Sequence, residues 1–379
     1  MKSKAMFVIV SCVAGAAMAA AQAPAGQQPA GGRGQGGRGA AAPPATVMQV
    51  AQSLAPRTRP AVVTAIPGII AAGARWEEVW RGADNADGIL TLPDGSLLFA
   101  QEQSSTIRRL DNNGMDSAYA KNTNGTGAMA IDAQGRIIGA QRTCTDPGRA
   151  NNPANAPCTV ATKIGIIYPE KDRKVLAENF NGMPFGRLND LVVDKKGGVY
   201  FNGGGTFYVN PRGVVTPIMG LNGMPLNTNG LQLSPDEKTF YGTSGGGLVA
   251  YDVQADGTVT NARQFVVFEG GGGDGAAVDS MGNLYVTASA GVQVVSPAGK
   301  ILGVIPTPRG AITVAFAGPN KKTLYIVGTG MLAPDGREFR LPTNVVDAQG
   351  NVVEREYRDN GKTIYKIQML SEGFKGRVK

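Results

Sequence analysis

Six segments of the chain repeat one design: apolar residues, a tight polar turn, then a β-rich run. They are Leu92–Ala100, Ile131–Ala140, Val193–Asn202, Leu233–Thr243, Val278–Ala288 and Ala317–Gly328, with turns centred on Gly95, Gly135, Gly197, Lys238, Gly282 and Lys322. Successive turns lie 40, 62, 41, 44 and 40 residues apart. A period of ~40 residues with paired strands in each unit is the mark of propeller blades. The fifth unit reads as four strands: Gly275–Asp279, Leu284–Thr287, Gly291–Val295 and Ile301–Ile305. One such sheet cannot bury both of its faces, so the units must stack around an axis. The pattern predicts an all-β fold, a six-bladed β-propeller with four-stranded blades. Arg75–Arg81 and Lys362–Leu370 are expected to supply strands of the last blade, closing the ring with both ends of the domain. Trp76 and Trp80 are expected to pack between blades.

The rest of the chain divides around that repeat. Lys2 and Lys4 precede an apolar run, Met6–Ala20, that is short for a membrane span and ends in small residues. Residues 1–21 therefore read as a signal peptide, against an uncleaved anchor or a lipoprotein box at Cys12, and the protein is expected to be periplasmic or secreted. Residues 22–46 are Ala, Gly, Pro, Gln and Arg, with too little apolar bulk to offset the entropy of ordering. They read as a linker, and 47–74 as an N-terminal extension. The propeller is expected over 75–370, with insertions at 143–160 and 331–360 and a tail at 371–379. Once Cys12 leaves with the signal, Cys144 and Cys158 remain, in the one interval that is too long. In an exported protein such a pair is expected to form a disulfide, worth about 3 kcal/mol in the chain-entropy picture. The formal charge of +8 is spread along the chain, with no basic helix and no basic stripe interleaved with aromatics. That pattern speaks against nucleic acid as a partner. Oligomeric state is not legible.

One register of the repeat, eight or nine residues ahead of the turn, carries oxygen donors in four units: Asp87, Asn189, Asn229 and Asp274. The second and sixth units have Gly127 and Thr313 there. Singly, each Asn or Asp beside Gly reads as a turn. At one register of a ring they read as a site. Two carboxylates and two amide oxygens suit a hard divalent cation, calcium first, with magnesium, manganese or zinc as alternatives. The chain has no histidine, which removes the usual nitrogen ligand and any histidine-dependent catalysis.

The residues Gly186-Arg187-Leu188-Asn189-Asp190, Thr228-Asn229-Gly230-Leu231 with Ser234-Pro235-Asp236, and Gly273-Asp274-Gly275 with Val278-Asp279 carry a resemblance to a known family. Over about residues 76–330 the chain resembles the SMP-30/gluconolactonase/luciferin-regenerating family of six-bladed, calcium-binding propellers. The resemblance implies that Asp87, Asn189, Asn229 and Asp274 hold the metal and that Arg187 orients substrate. Asp87 stands where the family usually has Glu, so its carboxylate reaches the ion directly or through water. Ala140-Gln141-Arg142 stands where many bacterial members have Cys-Glu-His.

The function expected on this basis is opening of a lactone by metal-assisted attack of water. Asp274 would be ligand and base, and Arg187 would bind substrate. Asn189, Arg142 and Glu102 would also touch substrate. Asp190 would only support the inner-strand turn. A calcium-stabilised binding propeller without catalysis, or a phosphotriesterase-like hydrolase on the same metal site, are the alternatives.

Overall fold

Evenly spaced turns make the chain reverse, and the reversals generate the sheets. In the computed structural model Gly95, Gly135, Gly197 and Gly282 take left-handed backbone, with φ of 86°, 77°, 87° and 83°, a region open to glycine without steric cost. In the two lysine turns the left-handed residue comes one position earlier than expected, at Glu237 (φ 59°) and Lys321 (φ 49°). The fourth turn is also wider: Ser234 N–H donates to Thr239 O (2.9 Å), where in the first unit Leu92 N–H donates to Ser96 O (2.9 Å). Asp132, Asp194 and Asp279 each open a turn and accept the backbone N–H groups two and four residues on. These aspartates are turn caps.

The structure describes residues 57–142, 161–339, 341–346, 352–358 and 361–377. The signal segment, the linker, the insertion 143–160 and the Cys144–Cys158 pair lie outside the described residues.

Six antiparallel four-stranded sheets follow one another along the chain, each with its strands in sequential order except the last. Their innermost strands are Asp87–Thr91, Thr126–Ile131, Leu191–Val193, Leu231–Leu233, Ala276–Val278 and Ala311–Ala317, and these define blades 1 to 6. Blade 6 is completed by Thr323–Thr329, Lys362–Gln368 and, as its outer strand, Glu77–Gly82 from the other end of the domain. The ring is thus closed by both ends, as the sequence predicts. A separate hairpin, Leu341–Val346 with Val352–Arg358, is inserted between the second and third strands of this blade.

The apolar residues are continuous along the inner strands because both faces are buried. In blade 3, Leu191 and Val193 face blade 2 while Val192 faces blade 4. The same alternation gives six apolar clusters, one at each junction between neighbouring blades. Trp80 packs on Phe99 (ring centroids 4.7 Å apart) between blades 6 and 1 and donates Nε1–H to Asp116. Trp76 packs on the cluster between blades 5 and 6. The N-terminal extension joins that cluster through Val63, Ile66, Ile69 and Ile70, and Gly303 leaves the space that Ile66 enters.

Each inner strand begins at one face of the ring and ends in its turn at the other. The start face therefore also carries the loops between second and third strands, including the two points where the insertions leave the blades. The C-terminal tail runs on the opposite face. There Gly373 pairs with Asp279, and Arg377 reaches Leu233 O (2.6 Å) and Glu237 (3.1 Å).

Candidate metal and substrate site

Asp87 opens the inner strand of blade 1, and Asn189, Asn229 and Asp274 stand just ahead of the inner strands of blades 3, 4 and 5. All four side chains are partly buried. The approach of the blades here depends on glycine: a Cβ on Gly230 would lie 1.9 Å from Asp274 O, and one on Gly88 2.7 Å from Gly127 O. Between the inner strands is a cavity of about 20 Å³ whose polar lining includes Asp87, Asn189, Asp190 and Asp274, room for a single water or small ion. Asn189 Nδ2 donates to Asn229 Oδ1 in a short contact and to Asn229 O (3.3 Å). The register read from sequence thus gathers residues from four blades at one channel mouth.

Beneath them lies a charged network. Arg142 is 1% exposed. Its Nη1 donates to Asp87 Oδ2 (2.7 Å) and Glu102 Oε2 (2.6 Å), its Nε to Leu188 O (2.7 Å), and its Nη2 to Asn189 O (2.7 Å) and Oδ1 (3.1 Å). Burial opposes the charged guanidinium, but Asp87 and Glu102 outweigh it and hold its pKa above the ordinary value. Glu102, 2% exposed, also accepts both Nη groups of Arg187, at 2.9 and 3.2 Å. Arg187 keeps 48% of its side chain exposed. A chain of charge runs from solvent at Arg187 through Glu102 and Arg142 to Asp87 and Asn189. The sequence reading has Arg142 and Glu102 touching substrate. In the structure both are buried and paired with protein groups at the site, Arg142 with Asp87 and Asn189 and Glu102 with Arg142 and Arg187.

Asp190 is placed as expected. Its Oδ1 caps Leu191 N–H (2.8 Å) and its Oδ2 accepts Leu231 N–H (2.8 Å), tying blade 3 to blade 4. Asn202, which the sequence reading overlooks, joins the same blades: Oδ1 accepts Asp190 N–H (2.6 Å) and Nδ2 donates to Asn229 O (2.9 Å).

The Asp274 carboxyl is pushed up to about 8, first by burial and then by the charges of Asp87 and Asp190, while Arg142 and a hydrogen bond from Asn229 act in the opposite sense. Four carboxylates (Asp87, Glu102, Asp190, Asp274) meet two guanidiniums (Arg142, Arg187). The carboxyl groups of this cluster outnumber its guanidiniums by two, an imbalance that helps raise the pKa of Asp274 and that a divalent cation would offset. Among the described residues no group of three or more His, Cys, Asp or Glu forms a metal cluster; the set here has two carboxylates at the mouth and completes itself with amides. Oxygen donors only, in a cluster with more carboxyl than guanidinium groups, fit a hard cation. A larger groove of about 690 Å³ between blades 1 and 2 is lined by Ser104, Asn122, Gln141 and Lys163 among others. It holds no convergent carboxylates, so volume does not mark the reactive centre.

Comparison with known proteins bears on the fold and the family. The SMP-30/gluconolactonase/LRE-like region profile matches residues 86–330. A gluconolactonase of Zymomonas mobilis is 29% identical over 187 residues, which is 41% of this chain and 52% of that relative; the match thus spans about half of its length. Among solved structures, a gluconolactonase of Xanthomonas campestris superposes with a TM-score of 0.60 at 20% identity, covering 83% of this chain and 96% of that one. A calcium-binding regucalcin of Agrobacterium tumefaciens does so with a TM-score of 0.52 at 17% identity, covering 78% and 97%. These structural likenesses concern the fold. The profile match covers most of the ring, and the chain belongs to the SMP-30/gluconolactonase/LRE-like family.

Proposed function

We propose that this protein hydrolyses lactones, opening a cyclic ester of the sugar-lactone type at the mouth of the channel. The observation that carries the reading is the convergence of Asp87, Asn189 and Asp274 on one small polar cavity, with Asn229 bonded to Asn189 and Asp274 beside it, in a cluster richer in carboxyl than in guanidinium groups. The gluconolactonase relative supports the substrate class. Calcium is the cation we favour, on the oxygen-only donor set and in keeping with the calcium-binding neighbour.

Asn189, Asn229 and Asp274 would hold the cation, with Asp87 as the fourth member of the ring. When bound, a cation in this place supplies Lewis-acid polarisation of the ester carbonyl. The side chains do the rest. Asp274 is partly buried and of raised basicity, and it takes the proton of the attacking water, giving it later to the leaving hydroxyl. Arg187, fixed by Glu102 and exposed at the rim, binds ring hydroxyls or the carbonyl oxygen. The Asn189 amide orients the substrate beside it. The leader argues for export, which N-terminal sequencing of the mature protein would test. Mass spectrometry of the unreduced protein would test the Cys144–Cys158 bond.

The direct test of function is an assay of purified protein against a panel of sugar and aliphatic lactones, after chelation and after return of calcium. Turnover that falls on chelation and returns with calcium is the expected result. No metal-dependent turnover on any lactone would favour a binding propeller. For Asp274→Asn we expect a drop in kcat of at least ~100-fold, a loss in the range of removing a general base, with the melting temperature preserved.

A further inference from the structure

Blade 2 breaks the ring of oxygen donors. Where its neighbours carry Asp or Asn it carries Gly127, and the space is filled from elsewhere. A Cβ on Gly127 would lie 2.0 Å from Arg142 Cζ, 2.1 Å from Nη1 and 2.2 Å from Nε. The guanidinium therefore sits in the volume of blade 2's own ring side chain, and Gly127 and Arg142 form one unit. Two of the four ring groups are already committed to it: Asp87 through Oδ2 (2.7 Å) and Asn189 through Oδ1 (3.1 Å). Asp274 and Asn229, on the far side of the ring, are engaged with their ring neighbours, Asp274 with Asn229 and Asn229 Oδ1 with Asn189 Nδ2, and Arg142 reaches Asp274 through charge.

We propose that Arg142 is a resident cation of this site: it pairs with Asp87 and partly offsets its charge, so that affinity for a divalent cation rests more on Asp274 than on Asp87. The inference depends on the cation reading above. Its physical basis is that a fixed charge within hydrogen-bonding distance of a carboxylate satisfies it without the entropy of capturing an ion from solution. That same charge repels a second cation brought close to it. Removing it returns a carboxylate to the ring and takes a positive charge away. Methionine at position 142 keeps apolar volume in the space beside Gly127 and brings no charge.

Isothermal titration of calcium and of manganese into the chelated full-length protein tests this without reference to turnover. Asp274→Asn is expected to weaken binding by more than ~100-fold, since charged ligands set affinity in such sites, and Asp87→Asn by no more than ~10-fold, since the Asp87 carboxylate is already shared with Arg142, which keeps Glu102 as a partner. Arg142→Met is expected to tighten binding by ~10-fold, and to give no such gain in the Asp87→Asn background, a non-additivity diagnostic of direct coupling. Equal losses in Asp87→Asn and Asp274→Asn, or weaker binding in Arg142→Met, would overturn the proposal while leaving the cation reading intact. If Arg142→Met does not fold by circular dichroism, the two aspartate variants decide alone. If the unmodified protein binds neither ion, the cation reading fails. Binding gained by Arg142→Met alone would even then support the resident guanidinium, and no binding in either protein would overturn both.

Discussion

Arg187 and Glu102 show how one side chain sets the task of another. Arg187 is half exposed, yet both of its Nη groups are held by a carboxylate that is itself buried. A rim guanidinium fixed in this way loses little freedom when a substrate arrives. Arg187→Ala should therefore raise KM by ~10-fold with a smaller change in kcat, the pattern of lost binding common to ground and transition states; steady-state kinetics on the best lactone of the panel would show it. Gly230 makes a different demand. An alanine there would place Cβ 1.9 Å from Asp274 O, so Gly230→Ala should displace the Asp274 backbone and lower turnover more than Asp87→Asn does. The sequence pointed to Asp87, Asn189, Asn229 and Asp274 because they recur at one register. Arg142 and Glu102 recur nowhere. Their pairing crosses from blade 1 to blade 2 through side chains, and no spacing within the chain encodes it.

At the level of the element, turns and inner strands were readable and their details were not. The left-handed residue in the fourth and sixth turns is Glu237 and Lys321, because no glycine stands at that position of either turn and the strain falls on whichever residue the loop length places there. The extension before the propeller was readable only as an extension. Its Val63, Ile66, Ile69 and Ile70 enter the junction of blades 5 and 6 as isolated apolar residues among turn formers, with no strand periodicity to announce them. The insertion in blade 6 has an anchor of its own. Arg309 and Glu338 form a buried pair at 2.7 Å, with side-chain exposures of 1% and 0%, and Glu338 also accepts Arg57 N–H at 2.8 Å. Glu338→Ala would leave a buried guanidinium without its partner. It should cost about 3–5 kcal/mol, read as a lowered urea midpoint with little change in slope.

For the molecule as a whole, closure is the organising fact. Blade 6 takes its third strand from Lys362–Gln368 and its outer strand from Glu77–Gly82, so neither end can be removed without opening the ring. A chain ending at residue 361 should fail to give the folded species that the full chain gives by gel filtration and circular dichroism. The tail beyond that strand carries a pH signature. Lys321 donates to Phe374 O at 2.8 Å, and burial, followed by the charges of Arg377 and Lys375, lowers its pKa to about 8. The unfolded chain, with an ordinary lysine, binds more protons than the folded one between about pH 8 and 10.5. The destabilising contribution of this charge is full below pH 8 and is relieved as pH rises through that window. The stability difference between the unmodified protein and Lys321→Met should change in that direction from pH 7 to 10, by chemical denaturation; a flat difference would contradict it.

The central claim is that residues from four separate blades act as one cation site. Anomalous diffraction from crystals grown with manganese tests it most directly. A single peak at the channel mouth, within about 2.5 Å of the Asp274 carboxylate and beside Asn229, is the expected result. No peak at saturating manganese, or one away from these residues, would contradict it.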